Sequence, residues 1–284
     1  MRHIFYFLLL SILAFACNLE QEIELDLPNY EEKIIVEAYL DAGQPYQLLL
    51  TRSSSYFAPF PTNIEETFSQ LLVNDAEVYI THRGNTVQLN NTPGINPLTG
   101  KLFNYAAPET AVFDTIEPYE LEIILPDGST IESSTRFLPI VPIDSVVVQF
   151  RKEENSEVDS ARVLTYFNDR PNEDNYFRRT LFAYRDGSLE TLQDFTTDDR
   201  FAENLIVFGT AYEFAPGDTV LNRIYHIEET YYNFLTSLQL AVAANGNPFG
   251  QPSPVIPGVR GTAENAIGIF TTLNYAEEQT ILEK

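Results

Sequence analysis

Strict alternation of apolar and polar side chains constrains this chain most. Ile34, Val36, Ala38 and Leu40 alternate with Ile35, Glu37, Tyr39 and Asp41, the period of two that lays one strand face on a core and leaves the other to solvent. Residues 119–125 and 129–136 repeat the pattern around Pro126-Asp127-Gly128, whose proline and glycine supply the dihedrals of a tight turn, so this pair is read as a hairpin. Further strands are expected over residues 46–52, 76–82, 143–150, 161–168, 176–184, 220–227, 267–275 and 279–282. Many short strands separated by turn signals predict a mainly β chain of two β-sandwich domains, immunoglobulin- or fibronectin-like.

Residues 230–244 depart from this pattern. Tyr231, Phe234, Leu235, Leu238, Ala241 and Val242 follow helical spacing, with Thr230 placed to cap the start and Gly246 to stop the end. One amphipathic helix packed on the second domain is expected. The 284 residues suffice for one large or two ordinary domains, and 44% hydrophobic with 13% aromatic content is too apolar for a disordered chain. Phe137-Leu138-Pro139-Ile140-Val141-Pro142-Ile143-Asp144 carries two prolines that interrupt strand pairing. The boundary is therefore placed there, with domains over residues 30–138 and 143–284.

The N-terminus has its own logic. Residues 4–16 form an apolar run broken only by Ser11, behind a basic Arg2, and are too short to span a bilayer, which needs about 17 residues or more. They read as a signal peptide over residues 1–16, with small residues Ala14 and Ala16 before the cut. The chain's single cysteine, Cys17, follows directly. Leu13-Ala14-Phe15-Ala16-Cys17 resembles a bacterial lipobox, with Ala14 where leucine is usual. The alternatives are a lipidated N-terminal cysteine and a residue left by an ordinary leader. In the lipid case each buried acyl CH₂ contributes about 0.8 kcal/mol, so two or more chains hold firmly to a membrane. Residues 17–29 then form an acidic tether, in which Glu20, Glu22, Glu24 and Asp26 resemble the signal that exports Bacteroidetes lipoproteins to the outer face of the outer membrane.

Charge excludes one class of partner. The net charge is −24, and loss of Arg2 with the leader takes it to −25, which repels nucleic-acid phosphates. Beyond His3 the chain has only His82 and His226, with no HExxH, GxSxG or glycine-rich phosphate loop. No catalytic residues are assigned and no enzyme is expected; an extracellular hydrolase is the least favoured function. The absence of tryptophan weighs mildly against carbohydrate work.

Two stretches are candidate sites. Asp169-Arg170-Pro171-Asn172-Glu173-Asp174-Asn175 gathers the carboxylates of Asp169, Glu173 and Asp174, oxygen ligands that suit calcium, in residues that equally make an ordinary turn. Tyr56, Phe57 and Phe60 lie among prolines, either as anchors for a partner or ligand or as a plug folded into the end of a sandwich.

The stretches Glu22-Ile23-Glu24-Leu25-Asp26-Leu27-Pro28, Lys33-Ile34-Ile35-Val36-Glu37-Ala38-Tyr39-Leu40, Arg52-Ser53-Ser54-Ser55-Tyr56-Phe57, Leu138-Pro139-Ile140-Val141-Pro142-Ile143-Asp144-Ser145, Phe167-Asn168-Asp169 to Asn175-Tyr176-Phe177, and Asn265-Ala266-Ile267-Gly268-Ile269-Phe270 resemble, in this order, the Bacteroidetes lipoproteins of domain-of-unknown-function family 4249. The resemblance implies an outer-membrane lipoprotein facing the cell exterior, of a kind whose genes often lie beside TonB-dependent transporters. It carries no catalytic residues. The function expected from it is a binding or accessory module working with such a transporter, with a structural or adhesive surface lipoprotein as the alternative.

Overall fold

The computed structural model describes residues 31–54, 63, 66, 70–152, 159–185, 187–200, 204–244 and 253–284. Its strands are β1 (Ile34–Asp41), β2 (Pro45–Arg52), β3 (Glu77–His82), β4 (Asn85–Ile95), β5 (Leu102–Thr110), β6 (Tyr119–Ile124), β7 (Thr130–Thr135), β8 (Ser145–Arg151), β9 (Ser160–Asn168), β10 (Tyr176–Arg185), β11 (Ser188–Asp198), β12 (Leu205–Gly209), β13 (Thr219–Ile227), β14 (Arg260–Gly261), β15 (Ile267–Leu273) and β16 (Tyr275–Ile281). The helix α1 (Glu229–Ala244) stands between β13 and β14. The chain is mainly β, as the alternation requires.

The largest sheet runs β14-β7-β6-β3-β4-β5-β2-β1-β15. It curls through β4, whose first half pairs with β3 (Val78 with Leu89, His82 with Asn85) and whose second half pairs with β5 (Asn90 with Ala106, Ile95 with Leu102). The fold-over lets both halves cover one core, which includes Val36, Leu50, Ile80, Tyr105, Tyr119, Phe137 and Phe270. The sheet's far ends are stitched together: Thr272 N–H donates to Thr135 Oγ1 at 3.1 Å, Thr272 Oγ1 to Arg136 O at 2.7 Å, and Ser133 Oγ to Gly258 O at 2.8 Å. Asn104, fully buried, ties β2 to the segment before β3 by accepting from Leu50 N–H at 2.7 Å and donating to Val73 O at 2.7 Å.

The alternation of β1 is obeyed throughout. Val36, Ala38 and Leu40 are buried, while Glu37, Tyr39 and Asp41 face outward. Its other edge takes β15 in a parallel pair, Val36 opposite Gly268. Gly268 has φ +129°, and a Cβ there would fall 2.0 Å from Val36 O, so only glycine lets the strands meet.

A second pair of sheets follows, β11-β10-β13-β16 and β12-β9-β8. Between them lie two apolar clusters, one around Val163, Leu181 and Val220 and one around Phe167, Phe177 and Ile224. Polar residues hold the layer between the clusters. Arg179, fully buried, donates to Gln193 Oε1 at 2.7 Å and Asn222 Oδ1 at 2.8 Å, and Thr165 Oγ1 donates to the same Asn222 oxygen at 2.9 Å.

The proline-rich seam is pinned at both ends, since Phe137 belongs to the first core and Val141 to the second. Its backbone oxygens are also engaged: Leu138 O accepts from Asn274 Nδ2 at 2.6 Å, and Pro139 O lies 3.0 Å from His226 Nδ1. Strands from beyond the seam enter the first sheet, β14 beside β7 and β15 beside β1. The helix lies against both assemblies: Tyr231 and Phe234 pack with Tyr225 and Ile227 of β13, Ile269 of β15 and Tyr39 of β1.

Candidate binding site on the outer face of the first sheet

The outward phase of β1 places a tyrosine between two acids at alternate positions. Beside it the loop from β4 to β5 folds back: Asn96 Oδ1 accepts from Leu98 N–H at 2.9 Å and Thr99 N–H at 3.1 Å, and Asn96 Nδ2 donates to Gln47 Oε1 of β2 at 2.7 Å. That geometry carries Lys101 across β2 to β1, where its Nζ stands 3.6 Å from the centre of the Tyr39 ring, a cation–π contact. A cavity of about 330 Å³ results, with Glu37, Tyr39, Asp41 and Lys101 as its polar wall and Leu102 and Leu273 among its apolar groups. Its volume falls at the lower end of the range of small-molecule sites, about 300 to 1,000 Å³.

The charges in this cavity are left apart. Among the described residues no hydrogen bond or ion pair within 4 Å reaches Lys101 Nζ or the carboxylates of Glu37 and Asp41. Loss of water around Asp41 pushes its carboxyl above the usual range, with Lys101 and Arg223 pulling the other way. Loss of water also pushes the Lys101 ammonium down against the pull of Glu37.

The wall behind the ring is firmly built. Tyr39 meets Tyr231 of α1 edge-on, ring centres 6.2 Å apart. The Tyr231 hydroxyl accepts from Arg178 Nη1 at 2.8 Å, and the other two guanidinium nitrogens of Arg178 grip Asp194, Nε at 2.7 Å from Oδ1 and Nη2 at 2.5 Å from Oδ2. Burial pushes the Tyr231 phenol up to about 12 and raises that of Tyr39 further, so both stay neutral at physiological pH.

Of the residues singled out from sequence, those that the structure describes do not line this cavity. Cys17, Glu20, Glu22, Glu24 and Asp26 are outside the described residues, as are Tyr56, Phe57 and Phe60. Asp169, Glu173 and Asp174 do not share one centre. Glu173 pairs with Arg170 Nε at 2.6 Å, Asp174 lines a small pocket of about 140 Å³ with Asp198, Asp199 and Tyr232, and Asp169 lies near Asp199, its carboxyl raised first by burial and then by that charge. Asn175, in the same turn, is fully buried and ties it to Asp199 through its N–H and Nδ2, at 2.9 and 2.7 Å from Oδ2. Among the described residues no group of three or more His, Cys, Asp or Glu side chains is placed to hold a metal.

Both strand histidines serve the fold. His82 stacks on Tyr119, ring centres 3.9 Å apart, with Nε2 3.4 Å from Asp114 Oδ2 and Nδ1 3.1 Å from Pro118 O. His226 is buried against Phe177 and is held below its usual range by desolvation.

Sequence reasoning missed the cavity at β1. Its signal was the Glu-x-Tyr-x-Asp pattern on the face assigned to solvent, an aromatic ring where a charged or small polar residue would suffice.

The family model described as "Domain of unknown function (DUF4249)" matches residues 20–279. No curated protein matches the chain. A solved structure titled "Cytokine receptor complex - Crystal form 1A" aligns over 88% of this chain and 97% of its own, at 6% identity and a TM-score of 0.24.

Proposed function

The chain belongs to the DUF4249 family, and from that premise we propose that it is a non-catalytic binding or accessory module, tethered by acyl chains on Cys17 to the outer face of the outer membrane beside a TonB-dependent transporter. The observation that carries the binding role is the cavity at β1, where an aromatic ring and separated charges of both signs converge on space for a small molecule. The tether rests on the leader, the lipobox-like cysteine and the acidic run behind it. Among the described residues no helix is long and apolar enough to cross a membrane. The transporter as partner rests on the family resemblance alone.

Affinity purification of the full chain from solubilised membranes of the producing bacterium, with mass spectrometry of the N-terminal peptide, tests both halves. Acylated Cys17 and a copurifying TonB-dependent transporter are expected. A free thiol at Cys17 overturns the tether, and the absence of any transporter after crosslinking overturns the partnership.

A further inference from the structure

Glu37 and Asp41 leave β1 on the same face as Tyr39, each about 7 Å from it along a strand that rises about 3.4 Å per residue. Lys101 lies over the ring between them, yet it pairs with neither. Opposite charges held apart in one cavity select against a ligand of a single sign. An anion drawn to Lys101 meets two carboxylates, and a cation drawn to either carboxylate meets the ammonium. A flat neutral ligand has less of the ring to stack on, because Lys101 covers one face of Tyr39.

We propose that this cavity takes a small zwitterion of the amino-acid or short-peptide class, its carboxylate on Lys101 Nζ and its ammonium on Glu37 or Asp41. The assignment rests on the binding role proposed above and deepens it. Each charge of the ligand supplies the partner that the protein's own fold withholds, and Leu102 and Leu273 offer apolar surface to a side chain. The environment is consistent with this: loss of water holds Asp41 above and Lys101 below their ordinary ranges, against the pull of the opposite charges across the cavity. The fixed Asn96–Gln47 contact keeps the Lys101 loop in place before any ligand arrives, so little ordering is required on binding.

Titration calorimetry of the full chain in detergent with dialanine, N-acetyl-dialanine, dialanine amide and maltose tests the assignment. Dialanine is expected to bind at least tenfold more tightly than either blocked form. Lys101→Met is expected to remove that advantage over the amide, and Glu37→Gln combined with Asp41→Asn the advantage over the acetylated form, with the melting temperature unchanged in each variant. Equal binding of free and blocked dipeptides, or binding of maltose that Lys101→Met abolishes, overturns the zwitterion while leaving the binding role intact. No heat from any of the four probes, in a chain that still copurifies with a transporter, overturns the assignment of this cavity.

Discussion

Arg179 carries a charge into the second core with no carboxylate beside it among the described residues, and that imbalance predicts an unusual pair of mutational effects. The side chain is fully buried, and its Nε has no partner. Loss of water pushes the guanidinium down to about 10, with Glu213 as a distant opposing charge. At about 1.4 kcal/mol per pH unit, confinement of the charge costs roughly 3 to 4 kcal/mol. Three acceptors offset this: Gln193 Oε1 at 2.7 Å, Asn222 Oδ1 at 2.8 Å and Thr165 Oγ1 at 3.3 Å.

Arg179→Met removes the charge and keeps most of the volume. Thr165 Oγ1 still donates to Asn222 Oδ1, and half-buried Gln193 can turn to water. Replacement of a buried charge by an apolar side chain of similar size is commonly neutral or better, so the change is expected to cost no more than about 1 kcal/mol. Asn222→Leu does the reverse. It strips the shortest of the contacts to Nη2, leaves the Thr165 hydroxyl without its acceptor, and is expected to cost about 3 kcal/mol, even though it also deletes the unpartnered Asn222 Nδ2.

Adding Arg179→Met to Asn222→Leu should then recover about 2 kcal/mol. Urea unfolding followed by far-UV circular dichroism measures all three, since the chain has no tryptophan to report by fluorescence. The reasoning is refuted if Arg179→Met costs as much as Asn222→Leu and the double variant shows the sum of the two losses.

Two further outcomes follow from local geometry. Gly268→Ala should cost at least about 3 kcal/mol, because its Cβ would enter the backbone of β1 at Val36; Gly84→Ala, also at positive φ but in open space, should cost only about 1 kcal/mol, and equal losses in urea unfolding would refute the steric argument. Asp114 accepts from the Ile116 and Glu117 N–H groups at 2.8 and 3.1 Å and from Arg83 Nε at 2.6 Å, which hold its carboxyl down to about 2. A carboxyl lower in the folded than the unfolded chain stabilises fully above its ordinary value of 3.8 and loses that contribution as pH falls through about 2. Asp114→Asn should therefore lower the melting temperature at pH 7 and converge on the parent chain near pH 2; a constant difference across that range would rule out the charge as the cause.

Strands whose two faces see different surroundings were legible in the sequence, and those seeing solvent on much of both faces were not. Alternation located β1, β2, β3, β6, β7, β8, β9, β10, β13 and β15 within a residue or two, and helical spacing located α1; β5 was missed although Asn104, Tyr105 and Ala107 are buried along it, because two of its buried residues, Asn104 and Tyr105, are adjacent and break the alternation. By contrast β4 reads Asn-Thr-Val-Gln-Leu-Asn-Asn-Thr-Pro-Gly-Ile, and only Leu89 is buried along it. Its asparagines, proline and glycine carry turn propensity that the pairing with β3 and β5 overrides. The edge strands β11, β12 and β14 are similarly exposed or short, and were missed for the same reason. β16 begins four residues earlier than its apolar tail indicated, because Tyr275–Glu278 is held by cross-strand pairs to β13, Arg223 with Glu277 among them.

The cavity was hidden by a different cause. Period two says that Glu37, Tyr39 and Asp41 share a face, but not what lies across from that face. Lys101 arrives from more than fifty residues away, carried there by the bend in β4 and the Asn96 loop, while Tyr231 comes from a helix that follows β13. The elements that bring the charges together are thus the ones whose own sequence carries the weakest signal. β4 can afford mixed, loop-like residues because its pairing is supplied from both sides, and the same laxity lets it turn between two layers and deliver Lys101 to a ring it could not otherwise reach. If that is the cause, stiffening the bend with Asn90→Val and Asn91→Val should leave the first core folded yet move Lys101 off Tyr39; upfield-shifted Lys101 methylene protons, lost in the variant with an unchanged circular dichroism spectrum, would show it, and retained ring shifts would refute it.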